Sequence, residues 1–205
     1  MIVVFSLMRR RADVSSEEFR RHWLDPHGPL VCRFPRLRRY SQNHVIVPGG
    51  VMPLDGFAEL AYDTDADQEA ATTSPEMAAC DEDSPQFIGS VLRVVTTDRV
   101  ILAPPSQRTK VPKQISVLIG PPEATETVLT ELRNMARKTA GLIGMVENLS
   151  LRQRGPRSQV PALDVPVAAI VELWFSDEHA RNRGTPNLDG MPAIHAYPVA
   201  EHRFI

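Results

Sequence analysis

Gly56-Phe-Ala-Glu-Leu-Ala-Tyr62 is a short β-rich run in which Phe57, Glu59 and Ala61 fall on one face. It has an echo at Ala169-Ile-Val-Glu-Leu-Trp-Phe175, which sets Glu172 against Glu59. Further echoes follow the same order. Asn148-Leu-Ser-Leu151 parallels Asn43-His-Val-Ile46, and His202-Arg-Phe-Ile205 parallels Asp98-Arg-Val-Ile101. Short matches in a constant order point to an internal duplication.

The first copy can be read outward from that strand. Met1 to Met8 is a β-rich run ending in charge, a first strand. Ser15 and Glu18 form a capping box, so a helix starts there. Phe19, Trp23 and His27 recur every four residues and stack along one helical face. Pro26, Gly28 and Pro29 interrupt that helix, which places His27 at a break. Arg38 to Val47 reads as a second strand, with Tyr40, Gln42, His44 and Ile46 on one face and Arg39, Ser41, Asn43 and Val45 on the other. Pro48-Gly49-Gly50 ends it. Asp65 to Ala79 suggests a second helix, weakened by Pro75, and Leu92 to Leu102 a fourth strand. The resulting order, β-α-β-β-α-β, is the ferredoxin-like plan.

Pro104, Pro105 and Pro112 mark residues 104–113 as a linker between a first unit, 1–103, and a second, 114–205. The second opens with a strand at Ile115 to Ile119 and a helix from Glu126 to Lys138, striped by Val128, Leu129, Leu132 and Met135. The expected class is α+β: two ferredoxin-like repeats whose bare sheet faces close on each other as a barrel within one chain. That arrangement predicts a pocket between the sheets, walled by strand residues.

Composition narrows the function classes. Of 205 residues, 42% are hydrophobic, enough for a core, and the net charge of -2 invites neither nucleic acid nor membrane. No apolar run approaches a membrane span, and the arginines follow the apolar start rather than precede it, unlike a secretory signal. A cytoplasmic protein with reduced Cys32 and Cys80 is expected. Arginines crowd the first forty or so residues and acids the middle, which reads as two mutually attracting solvated faces or as a basic rim for an acidic substrate.

Phe19-x-x-x-Trp23-x-x-x-His27-x-Pro29-Leu30, Arg39-Tyr40-Ser-Gln42-Asn43-His44 and Asp55-Gly56-Phe57-Ala-Glu59-Leu60 together resemble the EthD family of the dimeric α+β barrel superfamily. That family usually builds its barrel from two chains, so the resemblance implies that the second half is a built-in partner. Carried across the repeat, Tyr40 falls opposite Met145 and His27 near Leu132, so the second half lacks the Trp/His block and the tyrosine. The resemblance implies chemistry ranging from ether-degrading oxygenase systems to cofactor-free tailoring of polyketides, with haem-binding and quinone-forming enzymes elsewhere in the superfamily.

His27 is the candidate acid/base, because imidazole titrates near neutrality, and Asp25 is a nearby residue able to orient it. Tyr40 is the candidate donor to a carbonyl or enolate, with His44 on its strand face. Trp23 and Phe57 are candidates to hold aromatic rings; Glu59 is either bound to an arginine or a second acid/base, and Glu172 favours the former. Each has a plain structural alternative: a helix-capping histidine, wall aromatics, a strand-end His44. The scattered histidines offer no metal-site spacing, and no phosphate loop or nucleophile elbow is present. With these residues, the resemblance implies a small-molecule enzyme without metal or cofactor, doing isomerisation, dehydration or cyclisation on an aromatic or polyketide-like substrate. A haem ligand stays open, as do an oxidoreductase of the same fold, a non-catalytic accessory to an oxygenase, and pairing of the fused barrel into a homodimer.

Overall fold

The computed structural model describes residues 1–47, 52–184 and 194–205; Pro48-Gly49-Gly50, expected to end the second strand, lies outside them. Strands β1 (Ile2–Arg10), β2 (Arg39–Val45), β3 (Gly56–Tyr62) and β4 (Ile88–Leu102) come first, followed by β5 (Lys113–Ile119), β6 (Leu142–Arg154), β7 (Val167–Phe175) and β8 (Ile194–Arg203). They close into one barrel in the order β1-β3-β2-β8-β5-β7-β6-β4. Every neighbouring pair is antiparallel. Two seams join early strands to late ones: β2 to β8, with Asn43 opposite Glu201, and β4 to β6, with Asp98 opposite Asn148. Closure leaves no sheet edge unpaired.

Strand alternation sorts the side chains into two layers. Val3, Phe5, Leu7, Val45, Phe57, Ala61, Ile115, Val117, Ile170, Tyr197 and Val199 form one buried cluster drawn from both ends of the chain, which is the barrel interior. One end of that interior is ionic. Arg39 Nη2 lies 2.6 Å from Glu59, and Lys113 Nζ lies 2.6 Å from Glu172, 3.3 Å from Glu201 and 3.4 Å from Glu59. Arg108, in the 3₁₀ turn Arg108–Lys110, stacks 5.0 Å from the centre of the Trp174 ring, so the proline-rich connection covers this end.

The outer face of the barrel carries the helices. Helix α1 (Ser16–His22) starts at the expected capping box: Ser15 accepts from the Glu18 N–H at 3.2 Å, and Glu18 accepts from the Ser15 N–H at 2.9 Å. The break at Pro26 is a widened turn rather than an end. Pro26 has no N–H to donate, and Trp23–His27 form a π-helical turn closed by Gly28 N–H to Trp23 O, after which α2 (Gly28–Val31) continues. The acidic helix is two helices, α3 (Asp65–Thr72) and α4 (Pro75–Asp83). Ser74 caps the second by accepting from Met77 N–H, and Pro75 takes its first turn, where a missing N–H is harmless. Helices α5 (Pro122–Ala136) and α6 (Glu178–Gly184) cover the later strands. Phe19, Trp23, Val31 and Cys80 pack on the outward residues Val4, Met8, Tyr40, Ala58 and Leu60. Among the described residues, no helix is long and apolar enough to cross a membrane.

Candidate active site

A cavity of about 400 Å³ lies between the outer face of the early strands and helices α1–α4. This differs from the expected pocket between the sheets. The barrel interior is filled by Phe5, Phe57, Tyr197 and the ionic cluster, whereas the helix layer stands off the sheet and leaves space. Ser6, Ala58, Leu60 and Tyr62 form part of the sheet-side wall, with Trp23, His27, Met77, Cys80 and Ser84 from the helical side.

His27 is held by a partner distant in sequence. Its Nδ1 lies 2.8 Å from Asp83 Oδ2, at the end of α4. His22 Nε2 lies 2.9 Å from the other carboxylate oxygen. Burial alone would raise the Asp83 carboxyl, but hydrogen bonds from His27 and His22 outweigh it and hold Asp83 below the usual carboxylate range. Phe87 fixes both rings, stacking on His22 at 4.7 Å and meeting His27 edge-on at 5.0 Å. A carboxylate on Nδ1 favours the tautomer with its proton there, which leaves Nε2 with a lone pair.

Tyr40 is fully buried in the outer face of β2, and its hydroxyl accepts from Gln42 Nε2 at 2.7 Å. Burial pushes the Tyr40 phenol up, so it stays an O–H donor. Gln42 Nε2 also donates to Trp23 O at 2.6 Å, the carbonyl that closes the π-helical turn, while Gln42 Oε1 lies 2.9 Å from His44 Nε2. One amide thus ties the helix break to the tyrosine. The approach is close: a Cβ on Gly28 would sit 2.7 Å from the Phe204 ring and 3.2 Å from Gln42 Nε2.

The expected site residues therefore separate. Trp23, His27 and Tyr40 line the cavity. His44 is off the wall, stacked on Trp23 at 4.4 Å and set edge-on to His202 at 4.8 Å. Burial, with the charges of His202 and Arg20, takes His44 down to about 3, so it is neutral. Phe57 and Glu59 face the barrel interior, because alternation turns them away from Ala58 and Leu60; Phe57 packs on Tyr197 at 5.2 Å and Glu59 binds Arg39 and Lys113. Asp25 is exposed, in a surface groove with Asp13, Glu18, Arg21 and His22. The carboxylate that orients His27 is Asp83 instead. Cys80 lines the cavity, but burial and the charges of Asp83 and Asp81 push its thiol up to about 12, which leaves it protonated. Arg154, Gly155, Arg157 and Ser158, at and after the end of β6, also line the cavity.

No curated protein matches the sequence. Among solved structures, an anthrone oxidase-like protein aligns over 98% of this chain and 92% of its own, with 11% identity and a TM-score of 0.70. A putative monooxygenase from Fusobacterium nucleatum subsp. nucleatum aligns over 98% and 91%, with 8% identity and a TM-score of 0.61. A mutant chlorite dismutase from Candidatus Nitrospira defluvii aligns over 97% and 90%, with 11% identity and a TM-score of 0.53. These likenesses establish the fold over nearly the whole chain. A family model describes one part of it more closely: residues 11–90, which carry Trp23, His27, Tyr40 and Asp83, match the EthD domain.

Proposed function

We propose that this chain is a cofactor-independent enzyme in which His27 moves a proton on a small aromatic or polyketide-like substrate, in an isomerisation, dehydration or cyclisation. The observation that carries the reading is the Asp83–His27 contact of 2.8 Å at the wall of an aromatic-lined cavity. Asp83 holds the imidazole in the basic tautomer and stabilises the imidazolium that forms when Nε2 takes a proton. Tyr40, a protonated phenol, donates to the oxygen on which negative charge develops. Trp23 and Tyr62 offer flat surfaces to the rings. The chain acts as a fused pair of ferredoxin-like repeats: the later repeat supplies the partner half of the barrel but no second copy of His27 or Tyr40.

A test needs turnover of aromatic ketone or polyketide-like substrates by the wild type, His27→Ala, Asp83→Asn and Tyr40→Phe. Asp83→Asn loses a hydrogen bond to a charged group worth about 1.5–3 kcal/mol, so kcat falls roughly 10- to 150-fold. Unchanged rates in His27→Ala and Tyr40→Phe would sink the reading.

The names of the aligned structures favour a second reading, in which the same base deprotonates an electron-rich aromatic that then reacts with oxygen. Oxygen uptake during turnover, and the visible spectrum of the purified protein, separate this cofactor-free or haem-dependent oxidation from the first.

A further inference from the structure

The residues that match the EthD domain do not enclose the cavity alone. After β6 the chain runs as a strap across the first half. Val91 N–H donates to Pro161 O at 3.0 Å, and Leu163 N–H donates to Val91 O at 3.0 Å. Val160 is buried in the cluster that holds Trp23 and Tyr40. Beside this seam, a ladder of arginines meets α3 at steps of about one turn. Arg152 binds Asp65 and Gln68, Arg154 binds Glu69 at 2.8 Å, and Arg157 donates to the carbonyl of Thr72.

The rungs differ in charge. Arg152 and Arg154 are matched by carboxylates, and Arg93, also on the cavity wall, pairs with Asp81 at 3.3 Å. Arg157 meets a main-chain carbonyl and, among the described residues, no carboxylate. It stands exposed on the cavity rim, while the deeper wall holds Trp23, Phe34, Tyr40 and Tyr62. A guanidinium without a counter-charge, above an aromatic pocket, suits an acidic group carried on a flat ring system.

We propose that Arg157 is a specificity-determining residue: the strap from the later half presents it to the carboxylate or other anionic group of an aromatic ligand whose rings occupy the cavity. This rests on the cavity being the ligand site, as proposed above. The later half thereby takes part in recognition as well as in closing the barrel.

The test is isothermal titration of the full chain with naphthalene-2-carboxylate and with neutral naphthalene-2-methanol. A charge-assisted hydrogen bond of about 1.5–3 kcal/mol makes the carboxylate bind wild type roughly tenfold or more tightly than the alcohol. Arg157→Gln removes that preference and leaves the alcohol's affinity unchanged, and Arg157→Lys restores part of it. Equal affinities in wild type, a preference that survives in Arg157→Gln, or an equal loss for both probes overturns the proposal. Binding of the alcohol without a carboxylate preference refutes only the role of Arg157; failure of both probes to bind wild type refutes the cavity as the ligand site too.

Discussion

Replacing Lys113 by Met tests how the barrel tolerates charge in its interior. Lys113 is fully buried, with Glu172 at 2.6 Å, Glu201 at 3.3 Å and Glu59 at 3.4 Å. Burial opposes its charge, but the three carboxylates outweigh burial and hold the ammonium above its ordinary value. Burial likewise works against the Glu59 carboxylate, yet Lys113, Arg39 and Arg108 together draw it down to about 2. Glu172 moves upward, through burial and the neighbouring charge of Glu59. Methionine keeps the length of the lysine stem, so the loss is chiefly electrostatic. Removing one partner of a buried pair costs about 3–5 kcal/mol. At this chain length that lowers the melting temperature by roughly 6–20 °C.

The pH dependence carries the sign. In the wild type the depressed Glu59 contributes stability that is fully present above its unfolded pKa of about 4.3 and lost as the pH falls toward 2. Without Lys113, Glu172 keeps the burial and the Glu59 charge that push it up and loses the cation that draws it down, so acid relieves the strain. Urea unfolding at about pH 7.5 and about pH 5 therefore shows the Lys113→Met penalty shrinking on acidification. A loss below about 1 kcal/mol near neutral pH, the scale of an exposed pair, or the same loss at both pH values refutes a charge-balanced interior.

Three further outcomes follow from the site. Gly56→Ala drives a methyl group into the Trp23 ring and costs about 1–3 kcal/mol, read as a lower urea midpoint with altered tryptophan fluorescence; an unchanged midpoint contradicts the packing. His44, held neutral with its pKa near about 3, shows flat imidazole NMR shifts between about pH 5 and 8, and a midpoint in that window refutes its burial. Cys80, pushed up to about 12, reacts with a thiol reagent only when the chain unfolds, and rapid labelling of native protein at Cys80 contradicts its place under the helices.

Much of the architecture was legible because it is local. The capping box fixed where α1 begins, and period-two alternation put Tyr40, Gln42 and His44 opposite Arg39 and Val45, as the barrel has them. The closed barrel was anticipated from strand patterns and their order along the chain. Pro26 announced an irregular helix at His27, although it could not tell a π-helical turn from a stop, because that depends on Gln42 arriving at the Trp23 carbonyl from another strand.

Other features had no local signal. Asp83 is one acid in a run of acids, 56 positions from His27, and only the packing of α4 against α2, which follows His27, makes it the partner of that ring. Asp25, near in sequence, faces outward because a helix turns about 100° per residue, which takes a near neighbour in sequence off the His27 face. The cavity lies outside the barrel because large side chains fill the inside, a matter of volume that alternation does not encode. Arg157 reaches the rim through a strap anchored at Val91, a contact between distant parts of the chain. By itself the sequence determined which residues share a face, since helix and strand periods are properties of neighbours along the chain. Only the tertiary structure decided which faces meet, because that choice depends on packing volume and on charges brought together across long separations.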